Sequence, residues 1–265
     1  MLVARDEFQS SCCCTEYPQD SIPLDLSASS QNNQNAQTCE IVVSDGAKFT
    51  LDCHALSRHS GYFRWLFKDS YPNNRSPITL DNINRTEFQR ILDYINTGSI
   101  DLDMVNIENV LQTCQYLLLT QLTGYCEQFL LTKLDTHWLQ ILGLTGEFCL
   151  LLVGPALLDF LMKKFETISK DVDRFNRIPF EVLFSLAQSP QLKVPSEFFL
   201  FKQIVKWINY DFEARADCFD HFMTVVRLPV MSRDELEEVA MHFNPCVYTP
   251  ALHMLHFLLN NSQQT

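Results

Sequence analysis

With 265 residues, 46% of them hydrophobic and 20 of them Phe, the chain holds enough apolar material for two ordinary domains, which excludes general disorder. Lys and Arg number 20 against 32 Asp and Glu, a formal charge of −12. That field repels phosphate backbones and excludes nucleic-acid binding without a local basic patch, and the densest candidate, Lys163-Lys164 with Lys170, is interrupted by Glu166 and Asp171 and reads as a solvated helix face.

At the N-terminus Arg5, Asp6 and Glu7 stand where a secretory signal needs its apolar core, so an intracellular protein is expected, cytoplasmic with the nucleus as the alternative. Residues 1–38 are rich in Ser, Gln and Asn and are predicted to be a disordered tail. Within it, Cys12-Cys13-Cys14 are open to oxidation, metal capture or palmitoylation, against the plainer reading of tail thiols without a role. Ten cysteines without a CxxC pair read as free thiols of a reducing compartment, with Cys114 and Cys126 at apolar helix positions acting as small hydrophobes.

Glu40 to Val43, a turn over Ser44 to Ala47, and Lys48 to Leu51 predict a β-hairpin with a four-residue connection. A single helix is expected next, with Leu56, Tyr62, Phe63, Leu66 and Phe67 on its buried face. An Asn- and Pro-rich loop, Asp69 to Pro77, leads into a short strand at Ile78 to Leu80. Asn84 followed by Glu87 is a capping-box signature, Phe88, Ile91, Leu92 and Ile95 then keep helical spacing, and Gly98 is placed to end that helix. A strand over Ser99 to Leu102 should precede two helices, one turning Val110, Leu111, Cys114 and Leu118 inward, the other Leu122, Cys126, Phe129 and Leu130. The first half is therefore mixed α and β.

From Trp138 onward only helical patterns occur, separated by the breakers Gly154-Pro155, Ser189-Pro190 and Leu228-Pro229. The longest apolar run, Phe148 to Leu158, is far shorter than the roughly 20 residues needed to span a bilayer and reads as a buried helix junction. One helix should bury Phe201, Ile204, Val205 and Ile208, and another Phe219, Phe222, Met223 and Val226. Ser232 with Glu235 is a second capping box.

Chemistry-bearing motifs are scarce. Seven glycines, none in GxGxxG or GxxxxGK[ST] spacing, offer no phosphate-cradling loop, and neither GxSxG nor HExxH occurs, so no enzyme and no cofactor are expected. His253 and His256 lie one helical turn apart and, with Cys246 or His242, have the makings of a metal site; histidines on a leucine-rich terminal helix are the simpler reading. Glu197 suits a helix N-terminus and is read as structural.

Phe49-Thr50-Leu51-Asp52 through Ser60-Gly61-Tyr62-Phe63-Arg64, with Leu92-Asp93-Tyr94-Ile95-Asn96-Thr97-Gly98, resembles the BTB/POZ domain. Leu192-Lys193-Val194-Pro195-Ser196-Glu197, Trp207 and Val226-Arg227-Leu228-Pro229 resemble the BACK domain of the kelch-like proteins. The resemblance covers about residues 39 to 240. It implies an α+β BTB/POZ domain over 39–134 and an all-α BACK-like helical domain over 135–260, with 261–265 as a short tail. In that family the BTB domain dimerises and recruits the cullin scaffold of a ubiquitin ligase, while kelch repeats bind the substrate. Only about 25 residues follow Glu237, and one kelch repeat takes roughly 50, so substrate recognition is expected through another surface or a separate partner.

Several positions depart from the family pattern. Cys39 stands where Asp is usual, Asp52 where His is usual, and Cys53 where a basic residue is common, so the usual charged pocket is altered. The cullin-contacting hydrophobic-x-Glu motif aligns best with Tyr71-Pro72-Asn73, which keeps the hydrophobe and replaces the carboxylate. Losing one charge-assisted contact weakens an interface by about 1.5–3 kcal/mol. Asp20 to Cys39 lacks the amphipathic helix that the family swaps between subunits. The resemblance thus implies a homodimeric or heterodimeric adaptor with Tyr71, Asn73 and Tyr116 on its cullin surface, or alternatively an oligomerising scaffold that competes with full-length relatives.

Overall fold

The structure, a computed structural model, describes residues 38–69, 76–243 and 250–261. Its chain divides into two compact units: residues up to Phe129 together with Leu144–Leu150, and Leu130–Gly143 together with Leu151 onward.

The first unit is built on a three-stranded sheet of order β2-β1-β3. Strand β1 (Thr38–Val43) buries Cys39, Ile41 and Val43 with the period of two that a half-buried strand requires. It pairs antiparallel with β2 (Lys48–Asp52), Ile41 opposite Phe49, and parallel with β3 (Ile78–Leu80), Ile41 opposite Ile78. The hairpin and the Ile78 strand match the sequence expectation. Helices α1 (Cys53–His59) and α2 (Gly61–Asp69) stand where one helix is expected, because Ser60 adopts an extended conformation between them.

Helix α3 (Arg85–Thr97) starts as predicted, the Asn84 side chain accepting from the backbone N–H groups of Thr86 and Glu87. Glu87 does not reach back to complete the box; its Oε1 accepts from Asn109 Nδ2 instead. Gly98 closes the helix at φ 69°, a left-handed conformation that glycine adopts without a Cβ penalty. The expected strand at Ser99 to Leu102 is absent. Its polar groups are used locally: Thr97 Oγ1 bonds Ser99, and Asn106 Nδ2 donates to the Asp101 carbonyl. Helices α4 (Ile107–Leu117) and α5 (Thr120–Thr132) follow, burying Val110, Leu111, Cys114, Leu122, Cys126 and Leu130. Leu118 does not turn inward. It is 41% exposed, and Leu117 takes the core position.

The second unit is helical throughout its described residues. It contains the first part of α6 (Leu134–Glu147), then α7 (Val153–Ile168), α8 (Val172–Phe175), α9 (Phe180–Gln188), α10 (Glu197–Tyr210), α11 (Phe212–Arg215), α12 (Cys218–Met223), α13 (Arg233–Ala240) and α14 (Pro250–Asn261). Gly154-Pro155 does not separate helices; it lies in the first turn of α7, where a proline's missing N–H leaves no helical bond unmade. Leu228-Pro229 opens a single 3-10 turn, and Ser232 with Glu235 forms a complete capping box. Phe201, Ile204 and Ile208 are buried as expected, with Val205 half-buried. Met223 ends α12, so Val226 reaches the core from beyond the helix.

Candidate protein-interaction surface

Ser60 is the local origin of the most distinctive surface of the first unit. Only 1% exposed, it caps one helix and begins the next. Its N–H donates to the Leu56 carbonyl, its hydroxyl donates to the Leu117 carbonyl at 2.7 Å, and the same oxygen accepts from the Phe63 N–H at 3.1 Å. Gly61 follows with its N–H on the Leu118 carbonyl, and a Cβ there would lie 3.0 Å from the Leu118 Cβ, so α2 approaches the end of α4 more closely than a larger residue fits without a shift of Leu118. Leu118 itself has φ 53°, the left-handed region that leucine occupies only under tertiary constraint.

This junction brings the Tyr62 ring of α2 onto Tyr116 of α4, with centroids 5.7 Å apart and planes 29° from parallel. Phe63 meets Tyr62 edge-on at 5.2 Å. Burial first, then the Tyr116 neighbour, push the Tyr62 phenol above its ordinary pKa. One helical turn beyond Tyr62, Trp65 projects from α2 at 70% exposure. A large aromatic left in water beside a half-buried aromatic pair is the composition of a protein-binding patch. Tyr116 is thus half-buried on this patch, while Tyr71, Pro72 and Asn73 lie outside the described residues. The sequence alone does not single out Trp65, whose signal is that it falls off the apolar stripe of its helix; the pairing of Tyr62 with Tyr116 has no local signal.

The altered family positions have structural roles. Asp52 caps α1 by accepting from the His54 N–H at 2.9 Å. Cys39 and Cys53 are buried, and burial first, then the neighbouring Cys53, push Cys39 up to about 12, while burial raises Cys53 as well. A neutral thiol pair therefore occupies these two positions. Cys114 and Cys126 form a second such pair, in which the hydrogen bond from Cys126, then burial, raises Cys114.

In the second unit Glu197 is structural as expected. It opens α10, its side chain is nearly buried, and it accepts from the Arg227 N–H at 2.9 Å with the Arg227 guanidinium 3.7 Å away. His253 and His256 are exposed on α14, His242 packs edge-on against the Phe201 ring, and Cys246 lies outside the described residues, as do Cys12, Cys13 and Cys14. Among the described residues no three His, Cys, Asp or Glu side chains converge to hold a metal, and no helix is long and apolar enough to cross a membrane.

Residues 28–134 match the model of the BTB/POZ domain, and residues 138–241 that of the "BTB And C-terminal Kelch" domain, BACK. Human Kelch-like protein 17 is 27% identical over 229 residues, covering 83% of this chain and 35% of its own length. Mouse Kelch repeat and BTB domain-containing protein 3 is 27% identical over 196 residues, covering 72% of this chain and 32% of its own. The chain spans about a third of the length of these curated relatives. The solved BTB (Tramtrack and Bric a brac) domain of human gigaxonin is 31% identical, covering 34% of this chain and 75% of that one at a TM-score of 0.32, and the assignment rests on the family models rather than on that superposition. The chain carries both domains in order, an α+β BTB/POZ domain and then a helical BACK domain, and it belongs to the BTB-BACK proteins of the kelch-like family, whose adaptors are generally not enzymes.

Proposed function

We propose that this chain is a protein-interaction module that acts as a dimeric substrate adaptor of a cullin-RING ubiquitin ligase. BTB-BACK proteins of the kelch-like family are generally cullin adaptors, and BTB domains are known for dimerisation and cullin binding. The observation that carries the reading to particular residues is the Tyr62-Tyr116 stack with Trp65 exposed beside it. Such an arrangement offers a rigid aromatic anchor with a wet rim, the usual composition of an interface hot spot. In this reading Tyr71 adds the hydrophobe that follows α2, and Pro72 and Asn73 complete the contact. The adaptor works in the cytoplasm, with the nucleus as the alternative, as a homodimer or as a heterodimer with a relative.

A second reading is favoured by Asn73, which stands where the family's motif has a carboxylate. Without that charge-assisted contact the chain is a scaffold that occupies BTB partners without recruiting a ligase. Titration of the purified chain against the N-terminal domain of the family's cullin partner separates the two. An adaptor should bind with a Kd below about 1 μM and lose at least about tenfold in Tyr71→Ala and in Trp65→Ala. Absence of binding by folded protein would sink the adaptor role; capture of a full-length relative's BTB domain would then support the scaffold.

A further inference from the structure

The helical unit contains a cavity of about 310 Å³, the lower end of the range for ligand pockets. Val205 and Ile208 of α10 form one wall, and Phe219 and Phe243, locked edge-to-face with centroids 5.2 Å apart, form another. Phe212 borders the same cavity yet is 61% exposed, an apolar surface that this unit leaves in water. The rim is acidic. Asp217 and Asp220 line it and are exposed, and Asp211 and Glu213 stand in the same short stretch.

Among the described residues no cation forms an ion pair with these carboxylates. Arg215 commits its guanidinium to the carbonyls of Trp207 and Asn176, each at 2.8 Å, and lies 3.9 Å over the Trp207 ring. The Lys202 ammonium lies over Phe198, and Lys206 is exposed on α10 without a carboxylate partner among the ion pairs of the described residues. An apolar, largely preformed pocket under a carboxylate rim selects an apolar side chain with positive charge beside it.

We infer that this cavity is a docking site for a short basic, amphipathic peptide segment of a partner protein, with one aromatic or long aliphatic side chain inserted between Phe212 and Phe219 and flanking Lys or Arg residues against Asp217 and Asp220. Nucleic acid is disfavoured by the same carboxylates. A second copy of this chain is a poor occupant, because it carries the same formal charge of −12 and, in its densest basic cluster, Lys163 and Lys170 already pair with Asp159 and Glu166. The site lies in the BACK domain and stands whether or not the BTB domain binds a cullin.

The probe is a fluorescein-labelled synthetic dodecapeptide of Lys and Arg with a central Trp-Leu pair, titrated by anisotropy into the full chain at about 150 mM salt, where long-range attraction to the net charge is screened. Micromolar binding is expected, weakened about tenfold by Asp217→Asn with Asp220→Asn and by Phe212→Ala. It should be unchanged by Asp81→Asn with Glu108→Gln, which removes the same charge from exposed positions of the first unit. Failure to bind, or equal weakening by the Asp81 and Glu108 control, overturns the proposal. So does self-association that Phe212→Ala abolishes while peptide binding is absent, since that assigns the cavity to a second copy.

Discussion

Ser60 and Arg215 pin the two faces discussed above, and they do so with different chemistry. Ser60 is a small neutral group taken wholly out of water, whose single oxygen serves the Leu117 carbonyl and the Phe63 N–H. Arg215 is a charge at the edge of its unit that serves two carbonyls and lies on an indole, whose own N–H donates to the Ile178 carbonyl at 3.0 Å. The first pin holds two helices in register with very little apolar area. The second organises the buried Trp207, and with it the Phe222 ring that meets the indole at 5.9 Å. Removing the hydroxyl should therefore cost hydrogen bonds, whereas removing the aromatic partner of the arginine costs packing, which is the larger quantity.

That contrast breaks first at Trp207. Trp207→Ala removes a fully buried indole, leaves the Ile178 carbonyl without its donor and takes the ring from under Arg215, which keeps its two carbonyl partners, so a loss of about 3–5 kcal/mol is expected in the helical unit. Calorimetry that shows a loss under about 1 kcal/mol would put the cohesion of this unit elsewhere.

Alkaline pH should distinguish the units next. The Cys39 thiol rises from its ordinary 9.0 to about 12, chiefly through burial, and Cys53, Cys114 and Tyr94 of the same unit are raised too. Because the folded chain keeps the Cys39 proton that the unfolded chain releases, this contribution is whole below about pH 9 and is lost as pH climbs toward about 12. The slope is about 1.4 kcal/mol per pH unit for each such group. In the helical unit Cys218, a half-buried thiol, is the described cysteine with a raised pKa. Urea titrations at pH 8 to 11 should show the sheet-containing unit weakening first, with the decline flattened in Cys39→Ala. Equal decline in that variant removes Cys39 as the cause.

Ser60→Ala carries the smallest of these effects, about 1–3 kcal/mol, since two buried backbone groups lose their partner and little area is exposed. The near-ultraviolet tyrosine signal should change with it, because Ser60 holds Tyr62 onto Tyr116. A stable Ser60→Ala chain with an unaltered tyrosine signal would show that packing alone sets that register.

Legibility in the sequence followed the range of the interaction. The hairpin, the cap at Asn84, the stop at Gly98 and the box at Ser232 each depend on residues within a few positions, and each was readable. The capping box at Glu87 was half right because Asn109, 22 residues away, competes for its carboxylate. Tyr116 was legible only through family resemblance, and the cavity under Asp217 and Asp220 was not legible, since its walls come from α10, α11, α12 and the residues after α13.

The amino-acid order by itself determined where apolar faces, caps and turns fall, and hence a mixed α/β half followed by a helical half, because periodicity and capping are local consequences of backbone geometry. Only the tertiary structure decided that Ser60 divides a helix, that residues 99–102 form no strand, that Leu117 rather than Leu118 turns inward, and that Tyr62 meets Tyr116. At Ser60, Leu118 and Tyr62 the outcome belongs to a partner group far along the chain, and the free energy that selects it does not exist until the two segments are packed together, whereas residues 99–102 bond locally to Thr97 and Asn106.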